Sequence, residues 1–425
     1  MRICIFEDQR VHQLEPTTLT RPVCQLWCGP STLYDKQRHA WQNPTIGLLV
    51  RPYLAEQTRI DYPFNKVNDA LWLQQDETIM VNGRWLPPAD FSLPTLAPHA
   101  GIVDQQLAYA LLPTSLLTYC SPFTIDDCIE SWQHVLPTYD VAGAILNYPW
   151  QLMEHHTRSM FEDHAWRTAM LDHGYYPSQI KLLGPSDALC VHPTAEIEPW
   201  VLVDTSRGPV IIEREARIEA FSRLEGPCYI GPGCVIRGAK IRRSTLGPMC
   251  CVGGEVESSL LQGFVTKEHE GYLGYSYVGA WVEIAAGVQV GDHRLDAEPV
   301  RVERHGQNVE VGRRHVGAFI GDHTEIGAGT LINTGSVIGA FCELAPTGHF
   351  LPSFIPSFCK VNEHGIQSQD QLRDLFQTAT LVMKQLGWDL TEQHEAMFRQ
   401  LHHHTTAERR YLARLAGQEL LRRSA

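Results

Sequence analysis

The stretch "TKEHEGYLGYSYVG", residues 266–279, gathers Lys267, Glu268, His269 and Glu270 inside a region otherwise poor in charge. An imidazole beside carboxylates is what a general base near neutral pH requires, because a carboxylate orients the ring and raises its basicity. His269 is therefore a candidate proton acceptor for an attacking amine or hydroxyl. A second histidine group, His402–His404, carries a weaker message. Three consecutive side chains splay around a helix and read as a solvated face rather than a metal site. The 12 cysteines are scattered, with no C-x-x-C spacing that would suggest zinc. They read as small core residues of a reduced protein, with the cytoplasm as its expected location.

The elements around residues 266–279 follow a strict period. In "FIGDHTEIGAGTLINTGSVIGAFCELAP", Ile320, Ile326, Ile332, Ile338 and Leu344 are six apart. Val278, Ile284 and Val290 keep the same spacing, as do Val191, Ile197 and Val203, and Ile230 with Ile236. A period of six fits neither a helix nor a long strand. It predicts a hexapeptide parallel β-helix, each hexad one flat side with its aliphatic residue inward. Counting back from Val278 puts Tyr272 and Thr266 inward and His269 outward. The period breaks at residues 293–315, which read as an inserted loop or hairpin.

Residues 1–150 mix strand-like runs with helical segments and predict an α/β domain with parallel strands. Residues 151–188 read as a linker helix, 189–365 as the β-helix, and 366–425 as a tail of amphipathic helices. The formal net charge is −13, with 35 Lys+Arg against 48 Asp+Glu, which argues against nucleic acid as a partner. No run approaches the ~18 apolar residues of a membrane span, and the N-terminus lacks the features of a signal peptide.

An α/β domain, a linking helix and a hexapeptide β-helix, in that order, resemble the bifunctional N-acetylglucosamine-1-phosphate uridylyltransferase/glucosamine-1-phosphate acetyltransferase family. More closely, the chain looks like a divergent sugar nucleotidyltransferase branch of it. The resemblance covers about residues 1–350 and rests on "FEDQRVHQLEPTTLTRPV", "VNGRWLP", "LNYPWQL", "KEHEGYLGYSYVGAWVEIAAG" and the hexads. It implies a left-handed β-helix, a homotrimer, and acetyl-CoA as co-substrate. In the acetyltransferase half, the family's histidine base and tyrosine match His269 and Tyr272. Two family asparagines fall on Asp292 and Glu283, and a phosphate-binding lysine falls on Glu257. Asp292 is then expected to position substrate with Tyr272, and Lys267, Arg237 or Arg242 to compensate for the lost lysine.

In the nucleotidyltransferase half the resemblance implies a nucleoside triphosphate and a sugar 1-phosphate as substrates, with Mg²⁺. The usual Gly-rich phosphate loop is missing: "EDQRVHQ" holds no glycine, and the family lysine falls on Val23. Arg21 is the nearest cation, either replacing that lysine or bridging to the loop's own carboxylates. Lys36, Asn82 and Arg84 are candidate nucleotide contacts. The metal aspartate falls on Arg84, leaving Asn147 as the retained candidate metal ligand. Three functions remain: an enzyme of nucleotide-sugar biosynthesis with nucleotidyl transfer, acyl transfer or both; an acyltransferase with a degenerate nucleotide-binding domain; and a non-catalytic assembly or sensing protein.

Overall fold

The computed structural model describes residues 2–169, 179–304 and 306–423. The chain divides into two compact units. The first comprises Met1–Leu26, Ser31–Gln151 and Glu392–Phe398; the second comprises Trp27–Pro30, Leu152–Thr391 and Arg399–Ala425.

The first unit is built on a seven-stranded sheet. One of its inner strands is Arg2–Phe6, every side chain from Ile3 onward buried, as an apolar run covered on both faces must be. It pairs in parallel with Thr45–Leu49 on one side and Thr78–Asn82 on the other. The sheet is not wholly parallel, as the sequence suggested. Gln106–Leu112 runs antiparallel to both Thr78–Asn82 and His99–Val103. Hairpin-like return from His99–Val103 needs only the two residues Asp104 and Gln105, both with positive φ. So short a connection permits only an antiparallel neighbour.

The second unit is a parallel β-helix of three-sided coils. One face is a nine-stranded sheet, and the other two are ladders within a 16-stranded sheet. Its core is a column of inward aliphatics, among them Val203, Ile218, Ile230, Val252, Leu261, Val278, Ile284, Ile320, Ile332 and Leu344. Burying each such side chain stabilises the coil by about 1.5–3 kcal/mol. The first coil begins earlier than residue 189: Ile180–Leu183 already pairs in parallel with Val201–Asp204. The linker helix ends at Thr168, and part of the 151–188 segment lies outside the described residues.

The inward register of the opening stretch differs from the hexad count by one residue. Lys267 and Leu273, not Thr266 and Tyr272, stand over Val252 and Val256 of the preceding coil. Leu273 and Val278 are both core residues, so the step between them is five rather than six. Strands Val235–Arg242 and Cys251–Glu257 each serve two faces, pairing with two strands in succession. Their corner is drawn out into continuous strand, which shortens these coils and shifts the period.

One corner of the coil is marked by aromatic residues in the left-handed backbone region: Phe264, Trp281, His323, Phe341 and Phe358. Each such non-glycine residue costs roughly 1–2 kcal/mol. Stacking offsets it, with Phe264 on Trp281 at 4.1 Å and Phe341 on Phe358 at 5.1 Å. The helix Leu372–Gln385 packs Phe376 edge-on against Phe341. Helices Glu392–His404 and Thr406–Arg423 follow. No helix among the described residues is long and apolar enough to cross a membrane, and no disulfide forms among them.

Candidate functional site

In the β-helical unit the side chains that converge are Tyr272, Asp292, His293 and His315. Asp292 follows the last inward residue before the insertion, and its backbone carbonyl accepts from Val316 N–H at 2.7 Å, closing the insertion's base. Within the insertion, Arg301–Arg304 and Gln307–Glu310 form an antiparallel hairpin. Asp292 is 7% exposed. Its Oδ1 lies 2.7 Å from His293 Nδ1, and its Oδ2 lies 3.0 Å from His315 Nδ1 and 3.2 Å from Tyr272 Oη. Burial alone would raise the Asp292 carboxyl, but the hydrogen bonds from His293 and His315 outweigh it and hold it below the usual carboxylate range. An ionised carboxylate can only accept, so both Nδ1 atoms carry protons, and Nε2 is the nitrogen of each ring that is left to hold a lone pair.

The tyrosine is placed by a glycine. Tyr272 points outward, and a Cβ on Gly274 would lie 2.3 Å from its Oη. Only glycine lets the ring lie over that position and reach Asp292. Burial, then the charge of Asp292, raises the phenol so that Tyr272 stays protonated and donates. Tyr275, at the corner, stacks on His315 with ring centroids 5.0 Å apart. His293 lines a cleft of about 910 Å³ together with Gly291, Arg294, Arg301, Asn333 and Thr334.

His269 is not part of this group. It is exposed at another corner, between Thr266–Lys267 and Tyr272–Gly274, and its ring makes no hydrogen bond among the described residues. Neither neighbouring glutamate orients it; Glu268 accepts from Cys251 Sγ and pairs with Arg237. Lys267, expected to bind substrate, is 1% exposed. Its stem occupies an aliphatic's inward place and its Nζ donates to the carbonyls of Gly253, His269 and Gly271 at 2.8–3.2 Å. Burial lowers the amine to about 8, against the opposing charges of Glu270 and Glu255. Glu283 is exposed on a different ladder, beside Glu325. Arg242 and Arg243 are occupied by Glu255 and Glu257.

His293 and His315 were missed from sequence because they bound the segment read as an insertion. The break in the period was the available signal, and it did not say that the two ends meet. In the C-terminal helices, His402 contacts Arg409 while His403 and His404 are exposed, so the histidine triplet does splay.

In the first unit, Arg84 is fully buried and each of its five N–H groups is used. Nε and Nη2 grip Asp8 at 2.8 and 2.5 Å, Nη2 also reaches Gln106, and Nη1 donates to Leu146 O and to Asn147 Oδ1. Asn82 Oδ1 accepts from Arg84 N–H and its Nδ2 donates to Asp8. These residues do not fit a Mg²⁺ ion. The oxygens that a cation would need already face a guanidinium, which stands where the metal ligand was expected. Upstream, Glu7 accepts from Val23 N–H and from Arg51, and Arg51 also binds the carbonyls of Thr18 and Arg21. The segment that replaces the Gly-rich loop is thus tied down by a buried ion pair. Arg21 is half-buried and Lys36 is buried in the helix Leu33–Ala40.

A sheet-centred unit followed by a hexapeptide coil defines the class. Residues 3–170 match the model of the family described as sugar nucleotidyl transferase. The chain is 34% identical over 148 residues to a "Bifunctional sugar-1-phosphate nucleotidylyltransferase/acetyltransferase" of Sulfurisphaera tokodaii, a match covering 33% of this chain and 36% of that protein. It therefore spans about a third of that relative's length. It is also 28% identical over 164 residues to the "Uncharacterized acetyltransferase YaiX" of Escherichia coli O6:K15:H31, covering 36% of this chain and 67% of the relative. Among solved structures, the polySia specific acetyltransferase NeuO matches 45% of this chain and 86% of its own at 11% identity, with a TM-score of 0.26.

Proposed function

We propose that the β-helical unit is an acyltransferase whose general base is an imidazole held by Asp292. The observation that carries this is the pair of hydrogen bonds from His293 and His315 Nδ1 to one buried carboxylate. His293 is the assigned base because it lines the cleft. Its Nε2 takes the proton from an attacking amine or hydroxyl as that nucleophile adds to the thioester carbonyl of acetyl-CoA. The C–S bond then breaks, the thiolate takes the proton, and an amide or ester and free CoA leave. Tyr272 donates to Asp292 and fixes the carboxylate that fixes the ring. The names of the relatives support acetyl transfer and sugar-derived acceptors.

The first unit is assigned nucleotidyl transfer from a nucleoside triphosphate to a sugar 1-phosphate, releasing pyrophosphate. The family match of residues 3–170 favours this second activity. Arg21 and Lys36 are its candidate phosphate contacts, without a protein-held Mg²⁺. The active form is a homotrimer, since flat coil faces suit packing about a threefold axis. Purified protein given acetyl-CoA and a panel of amino sugars and nucleotide sugars should release thiol. Asp292→Asn should cut that release at least about tenfold, whereas His269→Ala should leave it unchanged. Thiol release surviving Asp292→Asn, or abolished by His269→Ala, would refute the assignment. Pyrophosphate release from triphosphate and sugar 1-phosphate tests the first unit separately.

A further inference from the structure

We propose that Asp292, His293 and His315 form a binding site for a borderline divalent transition-metal ion such as Zn²⁺, which clamps the two ends of the 293–315 insertion. One ligand atom from each residue can be chosen so that all lie within 4.8 Å of one another. Neighbouring donors around a tetrahedral ion with bonds of ~2.0–2.2 Å are about 3.5 Å apart. Small rotations of two half-exposed rings would reach that arrangement.

Three features make this a built site rather than a chance cluster. Both histidines offer the same atom, Nδ1, to one carboxylate. The carboxylate is buried and fixed, with Tyr272 donating to it and Val316 N–H closing its own backbone carbonyl. His315 is held in plane by stacking on Tyr275. Donor partners of this kind orient metal ligands and tune their affinity. The donor set, two imidazoles and one carboxylate, suits Zn²⁺, Co²⁺, Ni²⁺ or Cu²⁺ rather than Mg²⁺ or Ca²⁺, which prefer all-oxygen shells.

The ion and the base compete for one nitrogen. With Nδ1–H on Asp292, the lone pair is at Nε2 and the ring can take a proton. With Nδ1 on a metal, the ring proton resides on Nε2 and the ring can only donate. Metal binding would thus shift each ring proton from Nδ1 to Nε2, fasten the hairpin beside the cleft and silence the base. This last consequence rests on the acyltransferase reading; the binding site does not.

The full chain, stripped with chelator and dialysed, should bind one Zn²⁺ per chain by calorimetry, with Mg²⁺ giving no heat. His293→Ala and His315→Ala should each weaken Zn²⁺ at least about tenfold, and the double variant should lose the site. His403→Ala/His404→Ala, at the exposed helix positions, should change nothing. Co²⁺ should give a visible absorption band in the wild type that is missing from the double variant, with circular dichroism showing that both fold. Absence of Zn²⁺ binding, or binding unchanged in the folded double variant, would overturn the proposal. If thiol release is found, Zn²⁺ should inhibit it with a midpoint at the calorimetric Kd. If no thiol release is found, the acyltransferase reading fails while the binding result stands.

Discussion

Arg84 Nη1 donates to Asn147 Oδ1 across 2.8 Å, so the amide oxygen retained from a metal-binding pattern faces a guanidinium. A cation is present at this place, but it is part of the chain. Arg84→Ala would leave Asp8 buried without its partner, and breaking such a pair costs about 3–5 kcal/mol. Urea denaturation should show a loss of that size, and Mg²⁺ should not raise the melting temperature of the wild type. A loss under about 1 kcal/mol, or a clear Mg²⁺ stabilisation, would contradict the substitution of arginine for metal.

Lys267 makes a prediction about pH. Its folded value is about 8 and the unfolded value is near 10.5. Between these the unfolded chain holds the proton and the folded chain has released it, so stability rises with pH. The penalty of the buried charge is fully felt below pH 8 and relieved as pH rises to 10.5. Burial of other groups also contributes in this range, so the test is a difference. The denaturation midpoint of Lys267→Met should change less between pH 8 and pH 10 than that of the wild type. Parallel profiles would show that the amine does not titrate as its burial implies.

Gly274 should control the candidate site at a distance from the reacting atoms. An added methyl group would collide with the Tyr272 ring, which cannot lie over a larger residue. Gly274→Ala should lower thiol release about tenfold while shifting the melting temperature by only a few degrees, because the backbone there needs no positive φ. Tyr272→Phe should reproduce the loss. Full activity in both variants would remove the tyrosine from the positioning of Asp292.

The assembly prediction concerns mass. Light scattering at micromolar concentration should give three times the 47.9 kDa of one chain. A 47.9 kDa particle would argue against the trimer and against any site shared between coils.

What was legible in the sequence was the repetitive part. Aliphatics six apart specify a coil because each strand buries one inward side chain against the coil below, a local and periodic demand. The interruption at 293–315 was legible for the same reason, as the place where the period stops. The register of residues 266–273 was not, because a coil shortened by continuous strands passes its offset along through backbone pairing. Counting from Val278 could not detect a step of five. Lys267 fills an inward position because its ammonium finds three carbonyls there, a compensation that exists only once the corner is folded. His293 and His315 meet at Asp292 because the hairpin returns the chain to the coil it left, and chain return is a property of tertiary structure. Sequence spacing set which residues could do chemistry; the folding of an aperiodic segment decided which of them touch.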